Sequence, residues 1–353
     1  MDEELSPRRF AALAPYGWNG RWAALLEAFD RDGEPARVVR HDGAGLIVAT
    51  AQGIEAVPLV ERVVPAPAVG DWVVLVARRP AGVLERTSLL RRRDDRTDSQ
   101  QVLAANIDLV LLVCGLDRPV KDGRIQRGAA LAHEAGADAA VVLTKAALVG
   151  HQLDPEAVAA EVTKAHPGLE VVVTSAKEGV GLQALEALVR DNTVVLLGES
   201  GAGKSSIVNA LLGDERAAIG RVRTGDSKGR HTTTSRELYV LPSGGVLIDT
   251  PGIRAIGLWT DPESTAVTET FADIDELSEA CRFSDCAHDT EPGCAVNAAV
   301  TGGALTRDRL DRWRMLQHEA DAARVRASPH ERRQYDKKLA RLINESQRRK
   351  GPR

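Results

Sequence analysis

The chain has 353 residues, 43% of them hydrophobic and 27% charged, with a formal net charge of −4. That mix suits a soluble protein with a real core, and that length suits two or three domains. No apolar run approaches the roughly 18 residues a membrane span needs. The opening MDEELSPRRFAALAPYGWNG is acidic and broken by Pro15, so no membrane association and a cytoplasmic location are expected. Charge is uneven: from Ala304 onward 15 Lys and Arg stand against 7 Asp and Glu, giving the tail +8 and the remainder −12.

Residues 1–34 read as a helical lead-in, with Trp22, Leu25, Leu26 and Phe29 at helical spacing. Residues 35–95 read as a small OB-like β-barrel. ARVVRHDG, GLIVATA, IEAVPLV and DWVVLVA are short β-rich runs separated by Gly, Asp and Pro turns. Trp72 is the only aromatic residue between Ala36 and Leu90, so a base-stacking platform is not expected there. The basic stretch with Arg86, Arg91, Arg92, Arg93 and Arg96 reads as a solvated linker, with an electrostatic RNA contact as the other reading.

Residues 96–260 alternate strand and helix. IDLVLLVC, AAVVLT, LEVVVT, TVVLLG, ELYVL and GVLIDT are apolar strands, and helices are expected near 121–135, 154–165, 181–190 and 204–212. Such alternation predicts a parallel sheet covered on both faces, with ligands at the carboxyl ends of its strands.

The chemistry-bearing motifs fall at those ends. GESGAGKSS (Gly198, Glu199, Ser200, Gly201, Ala202, Gly203, Lys204, Ser205, Ser206) matches G-x-x-x-x-G-K-[ST] between an apolar strand and a helix. Its backbone N–H groups would converge on phosphates, Lys204 would add charge near the β and γ positions, and the Ser205 hydroxyl would ligate Mg²⁺. Downstream, DTPG places Asp249 at a strand end to hold the Mg²⁺ shell and the Gly252 N–H near the γ-phosphate. Between them KGRHTTT offers Thr233 and Thr234 as nucleotide-dependent Mg²⁺ ligands. His231 is the candidate to orient water or stabilise charge, against the simpler reading of an exposed loop histidine.

Cys281, Cys286, His288 and Cys294 form a C-x₄-C-x-H-x₅-C pattern. Three thiolates and an imidazole make a tetrahedral set for one structural Zn²⁺, closed to further ligands, and the intervening EPG supplies a tight turn. This defines the last segment, 261–353, as a helical zinc-binding domain. Its tail, LTRDRLDRWRMLQHEADAARVRA and SPHERRQYDKKLARLINESQRRK, carries Arg and Lys through two helical stretches. RNA phosphates are the favoured partner, with a solvated helix face as the other reading. Cys114, alone in an apolar strand, reads as a core residue.

Two segments precede the phosphate loop: TKAAL (Thr144 to Leu148) and TSAK (Thr174 to Lys177). The order TKAAL, TSAK, GESGAGKSS, GRHTTT, DTPG and CRFSDCAHDTEPGCAV resembles the RsgA (YjeQ) ribosome-associated GTPases, as do VGDWV and QQVLAANIDLVLLV. The resemblance implies an N-terminal OB-fold, a circularly permuted α/β P-loop GTPase domain and a C-terminal zinc domain. It also implies that the protein binds GTP and GDP with Mg²⁺. Its hydrolysis would be stimulated by the small ribosomal subunit and its rRNA during late maturation, followed by release. A monomer is expected.

In such GTPases the two early segments bind the base. Lys145 fits, as do Ser175 and Ala176, whose loop offers an N–H to guanine O6. Thr144 stands where Asn is usual, and Ala147 where an Asp usually accepts two hydrogen bonds from guanine. Either guanine selectivity is weakened or another group, such as Asp154, substitutes. In Ras-like GTPases a Gln positions the attacking water where this chain has Ile253, so unaided hydrolysis should be slow. The alternative is a nucleotide-gated rRNA-binding switch with weak turnover and relaxed base specificity.

Overall fold

The structure is a computed structural model, and the described residues are 9–41, 45–60, 62–94, 99–148, 154–213, 236–250 and 264–327. The chain divides into two compact units, Met1–Ile256 and Gly257–Arg353.

The first unit begins with a 3₁₀ turn at Ala11–Tyr16 and helix α1 (Gly20–Glu27). The Asn19 side chain accepts from the N–H groups of Arg21 and Trp22 and so caps α1. Trp18 and Trp22 pack on Trp72, with ring centroids 4.9 and 6.0 Å away. Trp72 is fully buried, which removes it from any stacking surface and makes it the anchor of the lead-in.

Five antiparallel strands follow: β1 (Glu34–His41), β2 (Gly45–Thr50), β3 (Gly53–Pro58), β4 (Trp72–Val76) and β5 (Arg79–Val83). They lie in the order β3-β2-β1-β4-β5, and β3 meets β5. Ala36, Val38, Leu46, Val48, Val57, Val73 and Leu75 fill the interior. This is the β-rich N-terminal region that the four apolar runs predicted. Strand β5, RPAGV, was hidden because Pro and Gly weaken a strand signal. Gly82 is needed there: a Cβ would stand 2.6 Å from the Phe29 ring.

Of the basic stretch, Arg86 and Arg91 have internal partners and are not part of a solvated linker, while Arg96 lies outside the described residues. Residues Leu89–Asp94 form β6, which pairs antiparallel with β7 (Ser99–Ala105). Arg86 makes two bonds to the buried Asp71 carboxylate, at 2.8 and 2.7 Å, and Arg91 lies 3.7 Å from Glu134. Charge composition alone hid these internal partners.

Next come β8 (Leu109–Gly115), α2 (Asp122–Ala135), β9 (Asp138–Thr144), α3 (Pro155–Ala165), β10 (Glu170–Val173), α4 (Leu182–Val189), β11 (Thr193–Gly198), α5 (Lys204–Leu212), β12 (Glu237–Val240) and β13 (Val246–Asp249). The sheet runs β10-β9-β8-β11-β13-β12. Five of these strands are parallel, while β12 pairs antiparallel with β13. The expectation of a parallel sheet therefore fails at β12, the strand between the parallel set and the N-terminal region, and mixed sheets commonly carry such an antiparallel strand. The four expected helices are present.

Strand β12 continues into the N-terminal region, pairing with β1 at Arg40 and Glu237. Arg37 adds a buried link, donating to the Asn106 carbonyl (3.3 Å) and the Thr193 hydroxyl (3.4 Å). Burial lowers its pKa to about 10, opposed by the Asp108 and Asp71 charges.

The second unit contains α6 (Ala266–Thr270), α7 (Ala272–Ser278), α8 (Ala295–Thr301) and α9 (Arg307–Ala327). Phe271, Ile274, Val296, Leu310 and Leu316 are buried. Among the described residues no helix is long and apolar enough to cross a membrane.

Candidate nucleotide and metal sites

The phosphate loop leaves the carboxyl end of β11 and enters α5. Its glycines are there for geometry. A Cβ on Gly198 would stand 2.4 Å from the Val113 carbonyl oxygen of β8, and Gly201 and Gly203 hold φ of +78° and +100°, where other residues are strained. Lys204 Nζ donates to the carbonyls of Gly198 (2.6 Å) and Glu199 (2.7 Å), so its ammonium folds over the loop.

Thr144, at the end of β9, is buried and its hydroxyl donates to the Ala202 carbonyl. It therefore acts on the loop. The next residue, Lys145, turns left-handed at φ +64°, and its Nζ lies 2.8 Å from Asp117 Oδ2. The Ala146 N–H donates to the Thr174 carbonyl (3.2 Å), joining the two candidate base loops. Ser175 is buried, its N–H donating to Val180. Ala147 is exposed and its methyl accepts nothing. Asp154, the suggested substitute, caps α3 by accepting from the Glu156 N–H at 3.1 Å.

The structure thus brings Thr144, Lys145, Ser175, Ala176 and the phosphate loop to neighbouring strand ends, and sets Asp249 at the end of β13 beside β11. His231, Thr233, Thr234, Gly252 and Ile253 lie outside the described residues.

A charged rim beside the loop escaped the sequence reading. Asp117 and Arg118 follow β8, with Arg118 Nη2 3.1 Å from Asp117 Oδ2. Glu199 of the loop is ion-paired with Arg124 on α2, and lies 4.0 Å from Arg118. Hydrogen bonds from Arg118 and then Lys145 hold the Asp117 carboxyl down at about 2. The signal was available: GLDRPVKDGR lies at a strand's carboxyl end, where ligands of such sheets gather.

In the second unit, Cys281, Cys286, His288 and Cys294 place their donor atoms within 4.8 Å of one another. Cys281 Sγ and Cys294 Sγ are 3.9 Å apart, and His288 Nδ1 lies 3.6 and 3.5 Å from them. A tetrahedral ion with metal–sulfur bonds of about 2.3 Å requires S···S edges of about 3.8 Å, so the four residues fit a metal as they stand. Burial works against a Cys281 thiolate, but hydrogen bonds from the Val296 and Ala295 N–H groups and from Cys286 and Cys294 together outweigh it and hold the thiol below its ordinary pKa.

Supporting residues fix the ligand loop. The Glu291 carboxylate accepts from the N–H groups of Ala287 (3.0 Å) and Asp289 (2.8 Å), Asn297 Nδ2 donates to the His288 carbonyl (3.0 Å), and the His288 ring packs on Trp313. Arg314 also donates to the His288 carbonyl, and Arg309 grips Asp273 with bonds of 2.7 and 2.6 Å. Part of the basic helix is therefore internal structure. The second basic stretch, from Ser328, lies outside the described residues.

The RsgA GTPase family profile matches residues 83–259. A Streptomyces coelicolor protein named small ribosomal subunit biogenesis GTPase RsgA is 42% identical over 337 residues, covering 90% of this chain and 89% of the relative. A Vibrio parahaemolyticus protein, small ribosomal subunit biogenesis GTPase RsgA 2, is 37% identical and covers 96% and 94%. Among solved structures, YloQ, described as a circularly permuted GTPase, matches with TM-score 0.60 at 23% identity over 83% of this chain and 96% of that one. YjeQ from Thermotoga maritima matches with TM-score 0.58 at 24% identity, over 81% and 98%. Those two likenesses speak to the fold alone; the permuted order of the strands, the loop geometry and the full-length relatives together place this chain in the RsgA GTPase family.

Proposed function

We propose that this chain hydrolyses GTP to GDP and phosphate during late maturation of the small ribosomal subunit, is stimulated by that subunit, and leaves it after hydrolysis. One observation carries the reading. A glycine-shaped phosphate loop, tethered by Thr144, sits in a chain whose relatives named for this role match it over nearly its whole length.

In this reading the loop from Gly198 to Ser206 wraps the phosphates with backbone N–H groups. Lys204 leaves the Gly198 and Glu199 carbonyls for the β- and γ-phosphates. Ser205 and Asp249, joined by Thr233 or Thr234, would hold the Mg²⁺ that accompanies GTP, which offsets phosphate charge. The Gly252 N–H meets the γ-phosphate, and His231 orients water or stabilises charge. Lys145, Ser175 and Ala176 border the base.

The Cys₃His set favours Zn²⁺, because thiolate and imidazole donors without oxygen suit it, and four protein ligands make the site structural. We assign the lead-in to 1–34, the barrel to 35–95, the GTPase domain to 96–260 and the zinc domain to 261–353. The protein works as a cytoplasmic monomer on rRNA. The test is GTP and ATP hydrolysis with and without purified small subunits. Stimulated, GTP-selective turnover is expected, and absence of stimulation would reject the ribosomal role.

Ala147 favours a second reading for the base. Its methyl group accepts neither of guanine's hydrogen bonds, so the chain would be a nucleotide-gated rRNA-binding switch with relaxed base specificity and weak turnover. Equal affinity for GTP and ATP supports this reading over the first.

A further inference from the structure

We propose that Arg118 is a phosphate-contacting residue, an arginine supplied in cis that leaves its carboxylate partners for the β- and γ-phosphate oxygens when the triphosphate binds; this rests on the phosphate-loop reading above.

The geometry carries it. Arg118 Nη2 lies 3.6 Å from the position a Cβ on Gly201 would take, so the guanidinium overhangs the tip of the phosphate loop. It is held weakly there: its side chain is 44% exposed, it bonds Asp117 at 3.1 Å, and it stands 4.0 Å from Glu199. Exposed pairs of this kind contribute little.

Its departure strands neither carboxylate. Asp117 keeps Lys145 at 2.8 Å, and Glu199 keeps Arg124. Among the described residues three cations, Arg118, Arg124 and Lys145, thus pair with these two carboxylates, so this set holds one more positive than negative charge beside the loop that would receive the anion. That surplus is an arginine, whose planar fork matches phosphate oxygens with two parallel hydrogen bonds. During hydrolysis the water oxygen bonds to the γ-phosphorus, the bond from that phosphorus to the bridging oxygen breaks with its electron pair staying on GDP, and the protons of the water leave with the released phosphate and to solvent. Charge grows on the oxygens within reach of the fork, and an arginine there stabilises the transition state more than the ground state.

The experiment uses the full chain with Mg²⁺, measuring single-turnover GTP hydrolysis with and without small subunits, and GDP affinity by competition. Arg118→Ala should slow hydrolysis by about ten-fold or more, toward but below the 10³–10⁵ of dedicated arginines, while GDP affinity changes by less than about three-fold, since the effect belongs to the transition state. Arg118→Lys should remain slow because a point charge lacks the fork, and millimolar guanidinium should partly restore Arg118→Ala alone. Unchanged hydrolysis in Arg118→Ala, full activity in Arg118→Lys, or equal losses in hydrolysis and GDP affinity would overturn the proposal. Lys204→Ala in the same assay separates the failures. If it abolishes turnover while Arg118→Ala does not, Arg118 alone is wrong; if it too has no effect, the phosphate-loop reading is wrong.

Discussion

The proposed nucleotide cradle and the candidate metal loop solve one problem, holding donors in place, by opposite means. The cradle draws its parts from β8, β9, β10, β11 and β13 and positions them with a sheet, so that Thr144 and Ala202, 58 residues apart, share a hydrogen bond. The metal loop takes every candidate donor from the stretch Cys281 to Cys294 and positions them through short turns and a few side chains close by, Glu291, Asn297, Trp313 and Arg314. A site built on a sheet stays in shape when its ligand leaves. A site built on a short loop depends on the ion itself, because the loop has little core of its own.

Metal removal tests this contrast most severely. Chelation should melt the segment around Cys281 to Cys294 and release α9, whose Trp313 and Arg314 rest on His288. Structural Zn²⁺ sites contribute on the order of 10 kcal/mol or more. Hydrogen exchange should therefore rise across residues 281–320 while β8 to β11 keep their protection, and uniform loss in both units would erase the distinction.

A smaller effect is expected from Thr144→Val, which leaves the Ala202 carbonyl without its donor at a cost of about 1–3 kcal/mol. Nucleotide affinity should fall by about ten-fold or more, since 1.4 kcal/mol is a factor of ten, with metal content unchanged. If affinity holds, the tether contributes nothing to the cradle.

The smallest expected change is a gain. Ala147→Asp should tighten GTP relative to ATP by restoring an acceptor for guanine, within the range of roughly 1–3 kcal/mol for hydrogen bonds to charged groups. A parallel change for both nucleotides would mean that this loop does not face the base.

The same contrast governs what the sequence reveals. The Cys and His spacing is local, so all four ligands were legible from Cys281 to Cys294. The strand–glycine turn–helix setting of Gly198 to Ser206 was legible because its glycines, lysine and flanking strand and helix are contiguous. Partners brought together by the sheet were not: Arg118 and Arg124 meet Glu199 only after β8 and β11 pair, and Thr144 reads as an odd base-site residue until Ala202 is beside it. Strand β12 looked parallel because apolar content carries no direction, and Arg86 looked solvated because nothing near it in the chain announces Asp71 as a partner. Arg309, one charge in a basic helix, is an internal clamp on Asp273 for the same reason.

The link between β1 and β12 bears on how this protein is made. Arg37 belongs to the first strand among the described residues, yet one of its buried partners, Thr193, lies 156 residues further along, and Arg40 of the same strand pairs with Glu237, later still. Non-local pairing of this kind delays completion of a fold, and domains otherwise form in order of synthesis. The N-terminal β region is thus begun early and finished late, its guanidinium waiting for the strand that leads into the phosphate loop.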